Sequence, residues 1–300
     1  MEAIKPVQQA FGSPGGKSYL APKITGMIPP HKSYIEPFAG GAAVYFRKEP
    51  SQIEILNDKD TEIAFAFRFL RDMTPEQYAW LQRQNWVISR SQFDKVKAMQ
   101  PKDDEERFYK FYYLKKGSFA KKAESVDLGR LGHIISLDRL MPVNQRLKRT
   151  SIQNKDAVKL LDKYDSPTTF FYLDPPYPGR SAVSAMEWGT YSDKDLMALI
   201  QRLKHIKGKF ALSLGTEHTK FLPQSWHIKR VYVRRNIVSP VTKLPIPSQY
   251  EIIATNYDTA NAVKPSGFAS HPLLKRGKHK VNRRRWHPVH PQLATCRSRG

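Results

Sequence analysis

Apolar and polar positions follow two different rhythms along this chain. Between Tyr34 and Asp60, short apolar runs alternate with turn residues, as in "SYIEPFAGG" and "QIEILNDKD". That rhythm predicts a strand, loop, helix and strand of an α/β sheet. From Thr61 to about Arg149 strand-like runs nearly vanish. "TEIAFAFRFLRD", "TPEQYAWLQRQ" and "DDEERFYKFYYLKK" instead place apolar residues three and four apart, the spacing of a helix face. The α/β rhythm resumes at "SIQNKD" and runs through "TFFYLD", "KFALSLG", "IKRVYVRRNIV" and "YEIIATNY". A helical block interrupting a sheet reads as an insertion at a loop. The expected division is a sheet domain over 1–61 and 148–258, a helical insert over 62–147 and a tail over 259–300.

Charge changes this picture most at the tail. Asn261–Gly300 holds ten Lys or Arg and no Asp or Glu, and Pro and His replace aliphatic periodicity there, so it reads as mostly unfolded. The whole chain carries +23, of which +13 falls on the first 260 residues. Such a surface calls for a polyanion, with nucleic acid the leading class. A membrane surface would attract the same charge, but no apolar run approaches spanning length. The N-terminal "MEAIKPVQQAFGSPGGK" has no signal-peptide pattern, so a cytoplasmic location is expected. Cys296 is the single cysteine, which excludes an internal disulfide and a core cysteine nucleophile. His287, His290 and Cys296 fit none of the common zinc spacings, so no metal is expected.

Chemistry concentrates in "FYLDPPYPGR", Phe171–Arg180. A buried strand of aromatic residues runs into Asp174, and in open α/β sheets ligands lie beyond the carboxyl ends of strands. Pro175 and Pro176 fix φ and donate no N–H, leaving carbonyl oxygens available as acceptors. The loop would present a carboxylate and a carbonyl side by side, with the Tyr177 ring beside them. A planar exocyclic amine of a nucleobase fits that trio: two N–H donors for two oxygens, and a π face for the tyrosine. Accepting both hydrogens stabilises the positive charge that develops as the nitrogen attacks. A strand-ending loop whose Asp caps a helix explains Asp-Pro-Pro alone equally well. The added Tyr, in a basic chain, favours the chemical reading.

"DPPY" resembles the catalytic motif of amino-group methyltransferases that use S-adenosyl-L-methionine. Further pieces resemble one branch, the Dam-type (D12 class) DNA N6-adenine methyltransferases. These are "SPGGKSYL" (Ser13–Leu20), "EPFAGGAAVYF" (Glu36–Phe46), the acid closing "LNDKD" as Asp58, "NKD" with Asp156, and "YEIIATNY". The likeness spans roughly residues 11 to 257. It implies a Rossmann-like doubly wound sheet, with the helical insert as the target-recognition domain. It also implies methyl transfer to adenine N6 of double-stranded DNA, the base being flipped onto Tyr177 and held by Asp174 and the Pro175 carbonyl. Ser13, Lys17, Glu36, Phe38, Gly40, Asp58, Asp156 and Asp174 would serve the cofactor. Glycines 40 and 41 suit a tight turn before a helix whose N–H groups face a carboxylate. Asp58 suits ribose hydroxyls, although "NDKD" also reads as a helix cap. A restriction-modification setting in a prokaryotic or phage cytoplasm follows, with a cognate nuclease as candidate partner.

The chain departs from the family pattern in three places. Ser13 stands where an aromatic residue is usual, Ala157 replaces a common Phe, and "GSFAKKAESVDLGRLG" occupies the place of the familiar recognition pattern. No target sequence can be named from it. Cytosine N4 and adenine in RNA remain alternative acceptors, the Asp of "DPPY" favouring adenine. A non-catalytic DNA-binding protein of the same fold is the alternative from another class. The aromatic run "RFYKFYYLKK" suits base stacking, but a helix with an aromatic core face accounts for it better. Lys115, Lys116, Lys121, Lys122 and Arg130 are the expected DNA contacts.

If the tail is a DNA arm, each phosphate it neutralises adds about 0.9 to the salt slope of binding. Deleting everything after Asp258 should then flatten the slope of log K against log salt by several units, measured by titration of duplex DNA. A slope identical with and without the tail would mean that it serves solubility alone.

Overall fold

The computed structural model describes residues 7–119, 123–178, 191–233 and 249–261. Most of the tail, including His287, His290 and Cys296, lies outside them, as do Lys121 and Lys122. Seven strands form one sheet: β1 (Ser33–Glu36), β2 (Ile53–Asn57), β3 (Thr150–Gln153), β4 (Thr169–Leu173), β5 (Lys209–Gly215), β6 (His227–Val233) and β7 (Gln249–Thr255). Each coincides with a run whose pattern predicted it, β3, β6 and β7 beginning one residue earlier. Their order is β3-β2-β1-β4-β5-β7-β6. β1 to β5 pair in parallel, while β7 runs antiparallel between β5 and β6. This is the expected Rossmann-like doubly wound sheet.

The register explains why the central strands are apolar throughout. Ile55, Ile35, Phe171 and Phe210 stand side by side across four neighbouring strands and build the core on one face. Helices α8 (Ala157–Tyr164) and α9 (Asp193–Leu203) cover that face with Leu160, Leu161, Leu196 and Leu199. Tyr34, Leu56, Phe170 and Tyr172 point to the other face, so β4 is buried along its whole length. A strand covered on both sides cannot alternate in polarity.

The second face is covered by α1 (Ala21–Thr25), α2 (Ala43–Arg47) and the helical block. The block contains α3 (Thr61–Asp72), α4 (Pro75–Gln82), α5 (Arg90–Ala98), α6 (Asp104–Gly117) and α7 (Leu140–Leu147). Side chains mark where these helices begin. Asp60 caps α3, Thr74 forms a capping box with Gln77 on α4, and Ser89 and Asp103 cap α5 and α6. The aromatic run of α6 is core: Phe108, Tyr109, Phe111, Tyr112 and Tyr113 are all buried, and Phe108 stacks on Phe69 with centroids 4.4 Å apart. These rings are therefore not a base-stacking platform. Among the described residues no helix is long and apolar enough to cross a membrane.

A buried ion network joins the end of the helical block to the sheet. Glu54 on β2 accepts from Lys48 and from both terminal nitrogens of Arg146 on α7, one at 2.8 Å. The Arg146 guanidinium lies 3.9 Å from the Tyr45 ring centroid, and Lys48 lies 4.3 Å from that of Tyr34. Burial pushes the Lys48 ammonium down to about 8, although Glu54 opposes this. Burial also acts to raise the Glu54 carboxyl, but Arg146 and Lys48 outweigh it and hold it below its ordinary value. Arg146→Met removes one cation and leaves Glu54 short of partners in the core, which costs about 3–5 kcal/mol. Urea unfolding should show a lowered midpoint of that size.

Candidate active site

β1 and β4 are neighbours in the sheet, yet the chain leaves β1 toward β2 on one side and reaches β4 on the other. The crevice beyond their carboxyl ends is the switch point where ligands bind in such sheets. One wall is the loop after β1. Gly40 has φ +49°, and a Cβ there would lie 2.8 Å from Ser13 Oγ. A Cβ on Gly41 would lie 2.8 Å from the Phe11 carbonyl oxygen and 3.1 Å from Gly12 Cα. The segment Phe11–Ser13, far away in sequence, thus presses directly on this turn. Ala42 completes it in the left-handed region at φ 51°, a strained position for a residue with a side chain.

Asp58, just past β2, holds the same turn from the other side. Its carboxylate accepts the Gly40 N–H at 2.8 Å and the Asp60 N–H at 2.9 Å. Burial pushes this carboxyl up to about 6, partly offset by those two donors and by the Lys115 charge. Asp60, and not Asp58, caps α3. Asn57 links this wall to the next by donating to the Pro37 carbonyl at 2.8 Å and the Lys155 carbonyl at 3.0 Å.

Asp174 lies one residue beyond β4, and its side chain is 19% exposed. Lys17 Nζ sits 2.7 Å from Asp174 Oδ1, 3.0 Å from the Gly15 carbonyl oxygen and 3.7 Å from Glu251 Oε2. The ammonium also lies 5.1 Å from the Tyr177 ring centroid. Tyr177 donates its hydroxyl to Glu251 Oε2 at 3.3 Å, and its ring lies 6.1 Å from that of the buried His218. Burial raises the Asp174 carboxyl above its ordinary value. Lys17 works against that rise, and Glu251 adds to it. The result is a desolvated carboxylate, an aromatic ring and a single ammonium, able to receive a planar amine and to stabilise positive charge on it.

The remaining expected residues fall around this centre or away from it. Phe38 meets Tyr191 edge-on at 6.1 Å. Asp156 caps α8, accepting from the Val158 and Lys159 N–H groups, and its charge reaches Tyr191. Glu36 is buried beneath the loop, where it accepts from the Tyr34 hydroxyl and from the Tyr45 N–H in α2. Burial pushes its carboxyl up to about 8, against the pull of those two donors. Lys115 Nζ lies 5.8 Å from the Phe111 ring centroid, Lys116 donates to the Ala10 carbonyl, and Arg130 donates to the Lys116 carbonyl. Glu251 and His218 were not expected. The one available signal was a carboxylate opening the otherwise apolar run "EIIAT". Among the described residues, no three His, Cys, Asp or Glu side chains are grouped to hold a metal ion.

Residues 13–237 match the model of the D12 class N6 adenine-specific DNA methyltransferase family. The Type II methyltransferase M1.LlaDCHI of Lactococcus lactis subsp. cremoris is 27% identical over 270 residues, covering 81% of this chain and 93% of its own. The Type II methyltransferase M.MjaIII of Methanocaldococcus jannaschii is 26% identical over 283 residues, covering 81% and 96%. M.CviBI of Paramecium bursaria Chlorella virus NC1A, also a Type II methyltransferase, is 24% identical over 213 residues, covering 67% and 80%.

Because the Phe11 carbonyl closes over Gly41, Gly41→Ala should overpack the turn and cost about 1–3 kcal/mol. Urea unfolding measures that loss. A variant as stable as the parent would show that residues 11–13 yield freely.

Proposed function

The chain belongs to the D12 class N6 adenine-specific DNA methyltransferase family, and from that membership we propose that it methylates N6 of an adenine flipped out of duplex DNA at a specific site. Enzymes of this family act on DNA and take their methyl group from S-adenosyl-L-methionine, which supplies an electrophilic methyl on a sulfonium. The crevice fits that cofactor. The Gly40–Gly41 turn has no room for side chains, and Asp58 closes it with a half-buried carboxylate suited to ribose hydroxyls. We assign Ser13, Lys17, Phe38, Gly40, Asp58 and Asp156 to holding it, with Glu36 bracing the turn from below.

The observation that carries the reading is the placement of Asp174, Tyr177 and Lys17 together at the end of β4. The Tyr177 ring supports a base that has left the stack, and the Asp174 carboxylate with the Pro175 carbonyl accepts its amine hydrogens. Attack of the amine nitrogen on the methyl would break the methyl–sulfur bond, release the neutral thioether and leave the nitrogen cationic; Asp174 would stabilise that charge until the proton passes to solvent. We assign recognition of the target to the helical block, with Lys121, Lys122 and Arg130 on the DNA backbone. Lys115 and Lys116 of α6 belong to the same assignment, Lys116 also donating to the Ala10 carbonyl. The Type II relatives make a nuclease of the same sequence specificity the partner to seek, in the cytoplasm of the host cell.

Labelled methyl transfer to duplex DNA, followed by nucleoside digestion, should yield N6-methyladenine. Asp174→Ala should lower the single-turnover rate at least about a hundredfold, the scale of one lost charge-stabilising group. Affinity for S-adenosyl-L-methionine, measured by calorimetry, should change far less. Label in cytosine, or a variant near the parental rate, would refute the assignment.

A further inference from the structure

Lys17 stands on the oxygen that a substrate amine would need. Its ammonium bonds Asp174 Oδ1 at 2.7 Å, and a positive charge held there opposes the charge that develops on the attacking nitrogen. Expelling a buried ammonium from the carboxylate it bonds would be costly with no other to receive it. Glu251 provides a second one. Its Oε2 lies 3.7 Å away, so a movement of about 1 Å converts this approach into a charge-assisted hydrogen bond. The same oxygen accepts the Tyr177 hydroxyl at 3.3 Å. Glu251 is itself buried, at the first turn-facing end of β7, where the antiparallel strand brings it to the carboxyl ends of β4 and β5.

We propose that Glu251 is a positioning residue for methyl transfer: its carboxylate takes Lys17 when the substrate amine claims Asp174, and it holds the Tyr177 ring through the hydroxyl. The inference rests on the amine-methylation reading above. Lys17 then alternates between two acceptors, and Asp174 is freed as an anion at the moment the amine needs one. The groups facing Asp174 are Lys17 from the N-terminal segment, Glu36 from β1, Tyr172 from β4, Tyr177 from its own loop and Glu251 from β7. Of these, Glu251 raises the Asp174 carboxyl by charge, and removing that charge also leaves Lys17 more firmly on Asp174. Both effects ease the ionisation of Asp174.

Glu251→Gln keeps an acceptor for Tyr177 and removes the charge. On the full chain with duplex DNA, its single-turnover rate should fall about tenfold or more, while DNA and cofactor affinities stay within about threefold. The acid limb of its rate–pH profile should move to lower pH. Glu251→Asp retains the charge on a shorter stem, so its limb should stay near the wild-type position even if its rate falls. An unaltered rate in Glu251→Gln would overturn the inference. So would a slowed enzyme whose acid limb has not moved, since that is the behaviour of a structural residue. A wild-type chain inactive on all DNA would sink the underlying reading as well, whereas an active wild type with an unaltered Glu251→Gln would sink this inference alone.

Discussion

The buried pairing of Lys17 with Asp174 is the interaction on which this site depends. It fastens the N-terminal segment to the end of the central strand β4, across 157 positions of sequence. Once Lys17 is held there, Phe11 to Ser13 lie over the Gly40–Gly41 turn and complete one wall of the crevice. Breaking such a pair without offering either ion another partner is costly. The pair is therefore stable in the resting protein and poised to exchange partners when an amine enters, because Glu251 is already within reach.

The helical block is not an appendage to the sheet. Its aromatic side chains share one apolar cluster with Tyr34, Leu56, Phe170 and Tyr172 of the sheet. Lys116 and Arg139 also bond the carbonyls of Ala10 and Gln9, so the block grips the same N-terminal segment that carries Lys17. At its other end, Arg146 and Lys48 converge on Glu54. The block and the crevice therefore share residues 9–17 as a common wall, fastened to the block by these two hydrogen bonds and to β4 by Lys17. Ser13 illustrates how the local structure absorbs a departure from the family pattern. A larger side chain is usual there, but here the small hydroxyl side chain fits against the closed Gly40 turn.

Much of this molecule was legible from residue order alone. Strand positions followed from short apolar runs set between turn residues, and α3, α4 and α6 from three- and four-residue apolar spacing. The "DPPY" loop was recognisable because its chemistry is contiguous: the carboxylate, prolines and ring are neighbours in the chain, so no folding is needed to bring them together. Glycines 40 and 41 were legible for the same reason.

What only the tertiary structure decided are the relations between distant residues of like type. Whether Asp58 or Asp60 caps α3 depends on which carboxylate the β2 end turns toward Gly40, a choice made by the sheet register and not by "NDKD" itself. Lys116 was legible as a cation but not as a donor to the Ala10 carbonyl, a contact that the packing of α6 against the N-terminal segment creates. Glu251 gave almost no signal, because its meaning comes from an antiparallel strand that delivers its amino end to the place where parallel strands deliver their carboxyl ends. Periodicity reports which face a residue occupies. It carries no information on which end of a sheet a late strand brings back to the site, and that reversal places the second carboxylate beside Lys17.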